Sequence, residues 1–252
     1  MSVFIRKELK EQWRTYRFLV VSAVLIVMGL LGPLSVKYMP EILSQIPGVP
    51  EELTEVMPEP DVTMAVAEYT ENLTLFGLIL AILVPMGAVI GEKMKGTATM
   101  VLSKPVSRAS FLGAKFITYA GVFLVGITLA SLTSYYYLGI LFEWLAPLGF
   151  MALSGLLLIY LTTFVALTLL ASTISRSQFA AAGISFGILI LLGLLSSIPT
   201  LSRYLPSSLI AWGRGLALGI DVGPVWGALV VSVVLIAAAW LGAWLIFRKQ
   251  EL

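Results

Sequence analysis

The chain has 252 residues, 59% of them apolar and 12% charged, with a formal net charge of +2 and a mean hydropathy of +0.98. A soluble domain carries roughly twice that charged fraction, so an ordinary globular fold is excluded. Cysteine and histidine are absent, which removes disulfides, thiolate or imidazole metal sites and Cys or His catalysis.

Several apolar runs reach the roughly twenty residues that a helix needs to cross a hydrocarbon core of about 30 Å. They are continuously apolar, not alternating, so helices and not barrel strands are expected. At the amino end Phe4, Leu9, Trp13 and Tyr16 recur at spacings of three to five among Arg6, Lys7, Lys10, Arg14 and Arg17. Residues 1–17 are either an interfacial amphipathic helix, apolar face in the acyl boundary and basic face toward anionic headgroups, or a basic flank that orients the first span. That span is expected at 18–36, too long for a cleavable leader and with no small-x-small site after it.

Residues 37–71 hold five prolines and eight carboxylates, which predicts an extracellular segment with short helical pieces at 51–57 and 62–71. Solvation explains its acidity more simply than the gating of a cationic substrate. Span two, 73–91, carries Pro85 and ends on Gly87-x-x-x-Gly91. Span three, 117–142, closes on Tyr135, Tyr136 and Tyr137 with Trp144 just beyond, the pattern of an interfacial aromatic belt. Only 143–147 separates it from span four, 148–174, so the two are expected to form a helical hairpin. In span five, 179–198, Gly183-x-x-x-Gly187 either lets another helix approach closely or faces lipid. The stretch 200–222 is too apolar for a free loop and too interrupted for a span, and is read as a re-entrant or interfacial segment before span six, 224–247.

Six spans put both termini on one side. Thirteen of the sixteen Lys and Arg residues fall on that side, while ten of the fourteen carboxylates fall on the other. The Lys/Arg asymmetry orients the chain in the cell membrane with both termini cytoplasmic.

The spans carry no ionisable residue well inside the core, which disfavours ion coupling, and no paired, repeated halves are recognisable. Gly91-Glu-Lys-Met-Lys-Gly96-Thr97 has P-loop glycine spacing but lacks the lysine after the second glycine and a preceding strand. No nucleophile–base pair is in view, so the chain is not expected to be an enzyme, and energy must come from a partner. The place for that partner is the longest charged interruption on the cytoplasmic side, Glu92 to Phe116, with five basic residues and one acidic. Lys104 precedes Pro105 and is pushed out of the helical region, so a helix continuing from span two should stop near Ser103. Ser107 can then cap a second helix running into span three. The resulting bent pair is a lever on spans two and three.

Glu92, Gly96-Thr97, Leu102-Ser103-Lys104-Pro105-Val106-Ser107-Arg108 and Leu112-Gly113-Ala114-Lys115-Phe116 resemble the loop after the second span of ABC-2 type exporter permeases. Ser172 to Ala181, around Arg176, is similar to that family's short second cytoplasmic loop, and the topology of the whole chain agrees. Ala98-Thr99-Met100 departs from the more Leu-rich, acidic stretch usual there, and the nearest likeness is to a NosY-like branch associated with copper-site maturation. With no His or Cys, no metal handling is inferred.

The resemblance implies an all-α integral membrane protein of one permease domain, 1–252: six transmembrane helices, a cytoplasmic amphipathic first helix, a cytoplasmic coupling helix within 92–116, and a re-entrant or interfacial segment before the last span. It implies an ATP-driven exporter in which a separate ABC ATPase subunit, in two copies, touches Glu92, Lys95, Gly96, Thr97, Lys104, Pro105, Ser107, Arg108, Lys115 and, through the second loop, Arg176. It further implies a second permease protomer in a homodimer, contact with the lipid bilayer but not nucleic acid, and ATP and Mg in the ATPase partner with no cofactor in this chain. No pattern points to a substrate-binding residue. A membrane anchor that transmits ATPase-driven motion to an extracytoplasmic partner is the alternative. Lys93, Lys95 and Lys104 could also simply hold topology, but that does not explain why the corner, glycine and charge pattern occur together.

Overall fold

A computed structural model describes residues 2–47, 58–96 and 107–250, which form ten helices and no strand. The short α1 (Ser2–Arg14) leads through a left-handed Tyr16 into α2 (Arg17–Ser44). The second apolar run holds α3 (Val62–Leu83) and the five-residue α4 (Ile90–Met94). Next come α5 (Arg108–Leu141), α6 (Pro147–Ile174) and α7 (Gln178–Ser196). Two short helices, α8 (Pro199–Ser202) and α9 (Ser208–Leu218), precede α10 (Trp226–Lys249). The six long helices are each long and apolar enough to cross a membrane. At about 1.5 Å per residue the 34 residues of α5 span about 51 Å, so part of it must project beyond a core of about 30 Å.

The hub of the bundle is α6, against which α3, α5, α7, α9 and α10 all pack. Its most apolar window is 67% buried, against 17% for α7 and for α10, which therefore form the rim. On one flank α2 lies between α3 and α5. Gly32 makes that approach possible, since a Cβ there would stand 2.7 Å from Tyr69 Cα. Tyr69 in turn shares a 2.9 Å hydrogen bond with Ser131, tying α3 to α5 inside the bundle.

Several boundaries differ from those the sequence suggests, each for a local reason. The first long helix runs through Pro33 to Ser44 instead of ending at 36. The piece at 62–71 is helical, but it is the first part of α3 and not a separate external turn, because Asp61 caps it by accepting from the Met64 N–H at 2.7 Å. The same run breaks after Leu83, where Pro85 has no N–H to give and its ring would meet the carbonyl four residues back. Beyond α4, Gly96 at φ +67° ends the helix earlier than Ser103. Residues 97–106, including Thr97, Lys104 and Pro105, lie outside the described residues, as does 51–57.

Ser107 caps α5 as its sequence suggests, accepting from the Ser110 N–H at 3.1 Å. The helix therefore begins nine residues before the expected start of span three and takes in Lys115. The α5–α6 hairpin is closed by Tyr135, whose hydroxyl donates to the Leu145 carbonyl at 2.9 Å and whose ring meets Trp144 and Phe150. Tyr136 and Trp144 remain exposed, as belt residues would be. The 200–222 stretch becomes α8 and α9, with α9 laid on α6 where Gly213 meets Leu153. Among the described residues nothing packs on Gly183 or Gly187, whose absent Cβ positions have no atom within 4 Å.

Candidate functional site

Most of the residues singled out around 92–116 gather at the end of the bundle that carries both termini. At its centre is Lys115, only 2% exposed. Its Nζ lies 2.6 Å from Glu92 Oε1 and 3.1 Å from Glu8 Oε2. Lys7 adds a second ammonium 3.1 Å from Glu92 Oε1 and 3.2 Å from Glu8 Oε1. The cluster joins three elements: α1 through Lys7 and Glu8, α4 through Glu92, and α5 through Lys115.

Local sequence explains the convergence. In α1, Glu8 and Gln12 are one turn apart and both buried, so the face that α1 turns to the bundle is polar, while Leu9 and Trp13 point away. The second run breaks at Pro85, and the short α4 beyond it carries Glu92 to Lys115 in the early turns of α5. Burial opposes ionisation of Glu92, but the Lys115 ammonium, and after it that of Lys7, outweigh burial and hold its carboxyl below the ordinary range. Burial likewise lowers the Lys7 pKa, and Glu8 and Glu92 more than restore it, leaving it above its usual value. Beside the cluster a cleft of about 360 Å³ is lined by Lys7, Arg17, Lys95, Tyr119 and Gln178, with the Arg17 guanidinium 3.2 Å from the Tyr119 hydroxyl. Glu8, Glu11 and Glu92 bring carboxylate oxygens within 4.8 Å of one another, the spacing of a cation site. Lysine ammoniums already stand among them at 2.6 to 3.9 Å and supply the positive charge.

A second set of contacts secures the same region from the other side. Arg108, the first residue of α5, donates from one guanidinium nitrogen to the carbonyls of Phe247, at 2.6 Å, and of Arg248 and Gln250, both at 2.9 Å. These are carbonyls at the C-terminal end of α10, beyond which no further helical turn donates N–H groups to them. The ring of Phe247, fully buried, stacks on Phe111 at 5.5 Å, with Lys93 and Arg108 against it. Lys93 and Gln250 both donate to the Thr173 carbonyl at the end of α6, at 2.7 and 3.2 Å. Burial alone pushes the Lys93 ammonium below its ordinary pKa. Ser172 completes the join: its Oγ accepts from the backbone N–H groups of Val89 and Ile90 at 3.1 and 3.2 Å, two donors released by the Pro85 break.

Of the ten residues the family resemblance marks, Glu92 and Lys115 are buried in the ion cluster and Arg108 is engaged with α10. Lys95, Gly96, Ser107 and Arg176 are exposed, and Thr97, Lys104 and Pro105 fall outside the described residues. Sequence reasoning missed Lys7, Glu8, Ser172, Thr173 and Phe247 as members of the site. One signal was present for the first pair: Glu8 and Glu11 are the only carboxylates in an otherwise basic amino end.

The arrangement contains no nucleophile poised beside a base among the described residues. Residues on both sides of 97–106 are bonded to other helices: Lys115 to α1, Lys93 to α6 and Arg108 to α10.

Residues 2–252 match the family model described as ABC-2 family transporter protein. Over 210 residues, 83% of this chain and 81% of the relative, the sequence is 26% identical to an uncharacterized transmembrane protein, YxlG, of Bacillus subtilis (strain 168).

Proposed function

Because this chain belongs to the ABC-2 family of transporter proteins, a family of membrane subunits, we propose that it is the permease half of an ATP-driven exporter whose ATPase is a separate chain. In this reading the ATPase docks on the segment 97–106 and the exposed residues flanking it, Lys95, Gly96 and Ser107, with Arg176 on the neighbouring loop. Two permease protomers and two ATPase subunits make the working assembly, both termini face the cytoplasm, and a solute moves outward between the protomers.

The observation that carries this reading is the pairing of Glu92 with Lys115 across the segment. The last buried charge before it and the first buried charge after it are 2.6 Å apart, so the two flanks are joined to each other by an ion pair. Arg108 extends that join to α10 and Glu8 extends it to α1. In this reading a push delivered to the segment reaches α1, α4, α5 and α10 together.

The docking claim is tested by co-purification with a candidate ATPase from a neighbouring reading frame. Lys104→Glu combined with Arg176→Glu should abolish capture of the ATPase while the chain still inserts; undiminished capture sinks the docking assignment. Flux in vesicles then tests export itself. Stimulated ATP hydrolysis with no movement of any candidate solute would favour the motion-transmitting anchor.

A further inference from the structure

The outward surface of α1 is not used by the ion cluster. At 100° per residue the helix divides into three strips. Ile5, Glu8 and Gln12 turn toward the bundle; Leu9 and Trp13 form the next strip, 48% and 69% exposed; Arg6, Lys10 and Arg14 form a third, all exposed. None of these three cations is in an ion pair among the described residues, because both carboxylates of the helix are turned elsewhere: Glu8 to Lys115, and Glu11 toward Lys7. The three positive charges therefore outnumber the single carboxylate of their cleft, Glu11, which stands 3.9 Å from Lys7.

The apolar strip has a continuation. The Trp13 ring lies 5.3 Å from Phe18 at the start of α2, and the exposed Leu19 and Val20 carry the same surface onto a helix that crosses the membrane. Leu9 and Trp13 thus prolong the exposed apolar surface of the first long helix, and a tryptophan ring beside a span favours the headgroup boundary of a bilayer. Cations set directly beside such a strip meet phosphates, not solvent.

We propose that Arg6, Lys10 and Arg14 bind the headgroups of anionic phospholipids, with Leu9 and Trp13 seated among the adjoining acyl chains. The lipid class follows from charge complementarity: a zwitterionic headgroup offsets each phosphate with its own cation, whereas an anionic one leaves a negative charge for each side chain. Attraction to an anionic leaflet amounts to roughly fivefold per cation, so three cations give a preference of about tenfold or more after screening. The polar strip facing inward fixes which way the cations point, since rotating α1 would pull Glu8 off Lys115. The proposal stands whether or not the docking reading of 97–106 is right.

The test uses the full chain in bilayers of phosphatidylcholine alone or mixed with phosphatidylglycerol, with one lipid or the other brominated to quench tryptophan. Subtracting the signal of Trp13→Phe isolates Trp13 from the other tryptophans. Trp13 should be quenched about tenfold more effectively by brominated phosphatidylglycerol than by brominated phosphatidylcholine at equal mole fraction. Arg6→Gln, Lys10→Gln and Arg14→Gln together should remove that preference with helix content unchanged, and Lys10→Arg should keep it. Equal quenching by both lipids in the unmodified chain overturns the proposal, as does a preference that survives the triple substitution. Absence of quenching by either lipid, with α1 protected by a bound ATPase, would assign the strip to a protein partner and overturn it as well.

Discussion

Lys115 on α5 is held between Glu92 of α4 and Glu8 of α1 at 2.6 and 3.1 Å, a cation buried among the described residues that both helices reach for. A buried pair of this kind is not a large net source of stability, because desolvating the charges costs nearly what their attraction returns. Removing one partner is different, since the others are left charged and buried. Lys115→Met should therefore destabilise the protein by about 3–5 kcal/mol, seen as a lower melting temperature in detergent. Combining it with Glu8→Gln and Glu92→Gln should recover most of the loss. If the single substitution melts like the unmodified chain, the cluster is not buried as described.

Acid should act on the same cluster through Glu92. Its folded carboxyl is held below its ordinary value of 4.5, so it binds a proton less readily folded than unfolded. The stability it contributes is complete above that value and is lost as pH falls through the lower, folded pKa. Melting temperature should be nearly flat from about pH 7 to pH 5 and drop only in more acidic solution, and Glu92→Gln should shrink the drop. Lys7 behaves in the opposite sense: its folded pKa lies above 10.5, so its contribution is present below that pH and fades only in stronger base. A melting curve that already declines between about pH 7 and pH 5 would mean that some other group controls acid stability.

How far the sequence reveals this site depends on the range of each interaction. Helix starts are set locally: Asp61, Ser107 and Ser177 each bond the N–H three residues on, and the Ser107 cap is legible in the sequence. The broad class is legible too, because continuous apolar length is a property of each run by itself. The ion cluster is not local: Glu8 and Lys115 are 107 positions apart, and nothing in the spacing of α1 says that its acidic face, not its apolar one, turns inward. A hydrophobic-face reading sets Leu9 and Trp13 apart as one strip, and both are exposed, yet it leaves Glu8 looking like an ordinary surface carboxylate. Arg108 fails to be legible for the same reason, since its three acceptors lie about 140 residues downstream.

Ser172 offers a test of the break in the second span. Its hydroxyl is fully buried and serves the Val89 and Ile90 N–H groups, which the Pro85 break leaves without helical acceptors. Ser172→Ala should cost about 2 kcal/mol, the usual penalty for stranding buried donors. Thr173→Ala is the control. Its hydroxyl bonds only the Leu169 carbonyl of its own helix, so its loss orphans no N–H and should cost under about 1 kcal/mol. Equal effects from the two substitutions would show that the break is satisfied some other way.

Arg108 makes the last and most specific prediction, because a guanidinium is the side chain whose geometry suits several carbonyls at once. It holds the end of α10 by three oxygens, of Phe247, Arg248 and Gln250, while its stem rests against the Phe247 ring. Arg108→Ala should loosen the last turn of α10 by about 2 kcal/mol, the value of a charged donor on backbone acceptors, which is roughly thirtyfold in local opening. Hydrogen exchange over 244–250 measures that opening directly. Arg108→Lys keeps the charge but offers a single compact donor group, so exchange should fall between the two. The Glu8–Lys115–Glu92 cluster lies on the other side of Phe111, so exchange in α1 should stay unchanged in both variants. Faster exchange throughout α1 and α10 alike would mean that Arg108 supports the whole end of the bundle and not the final turn alone.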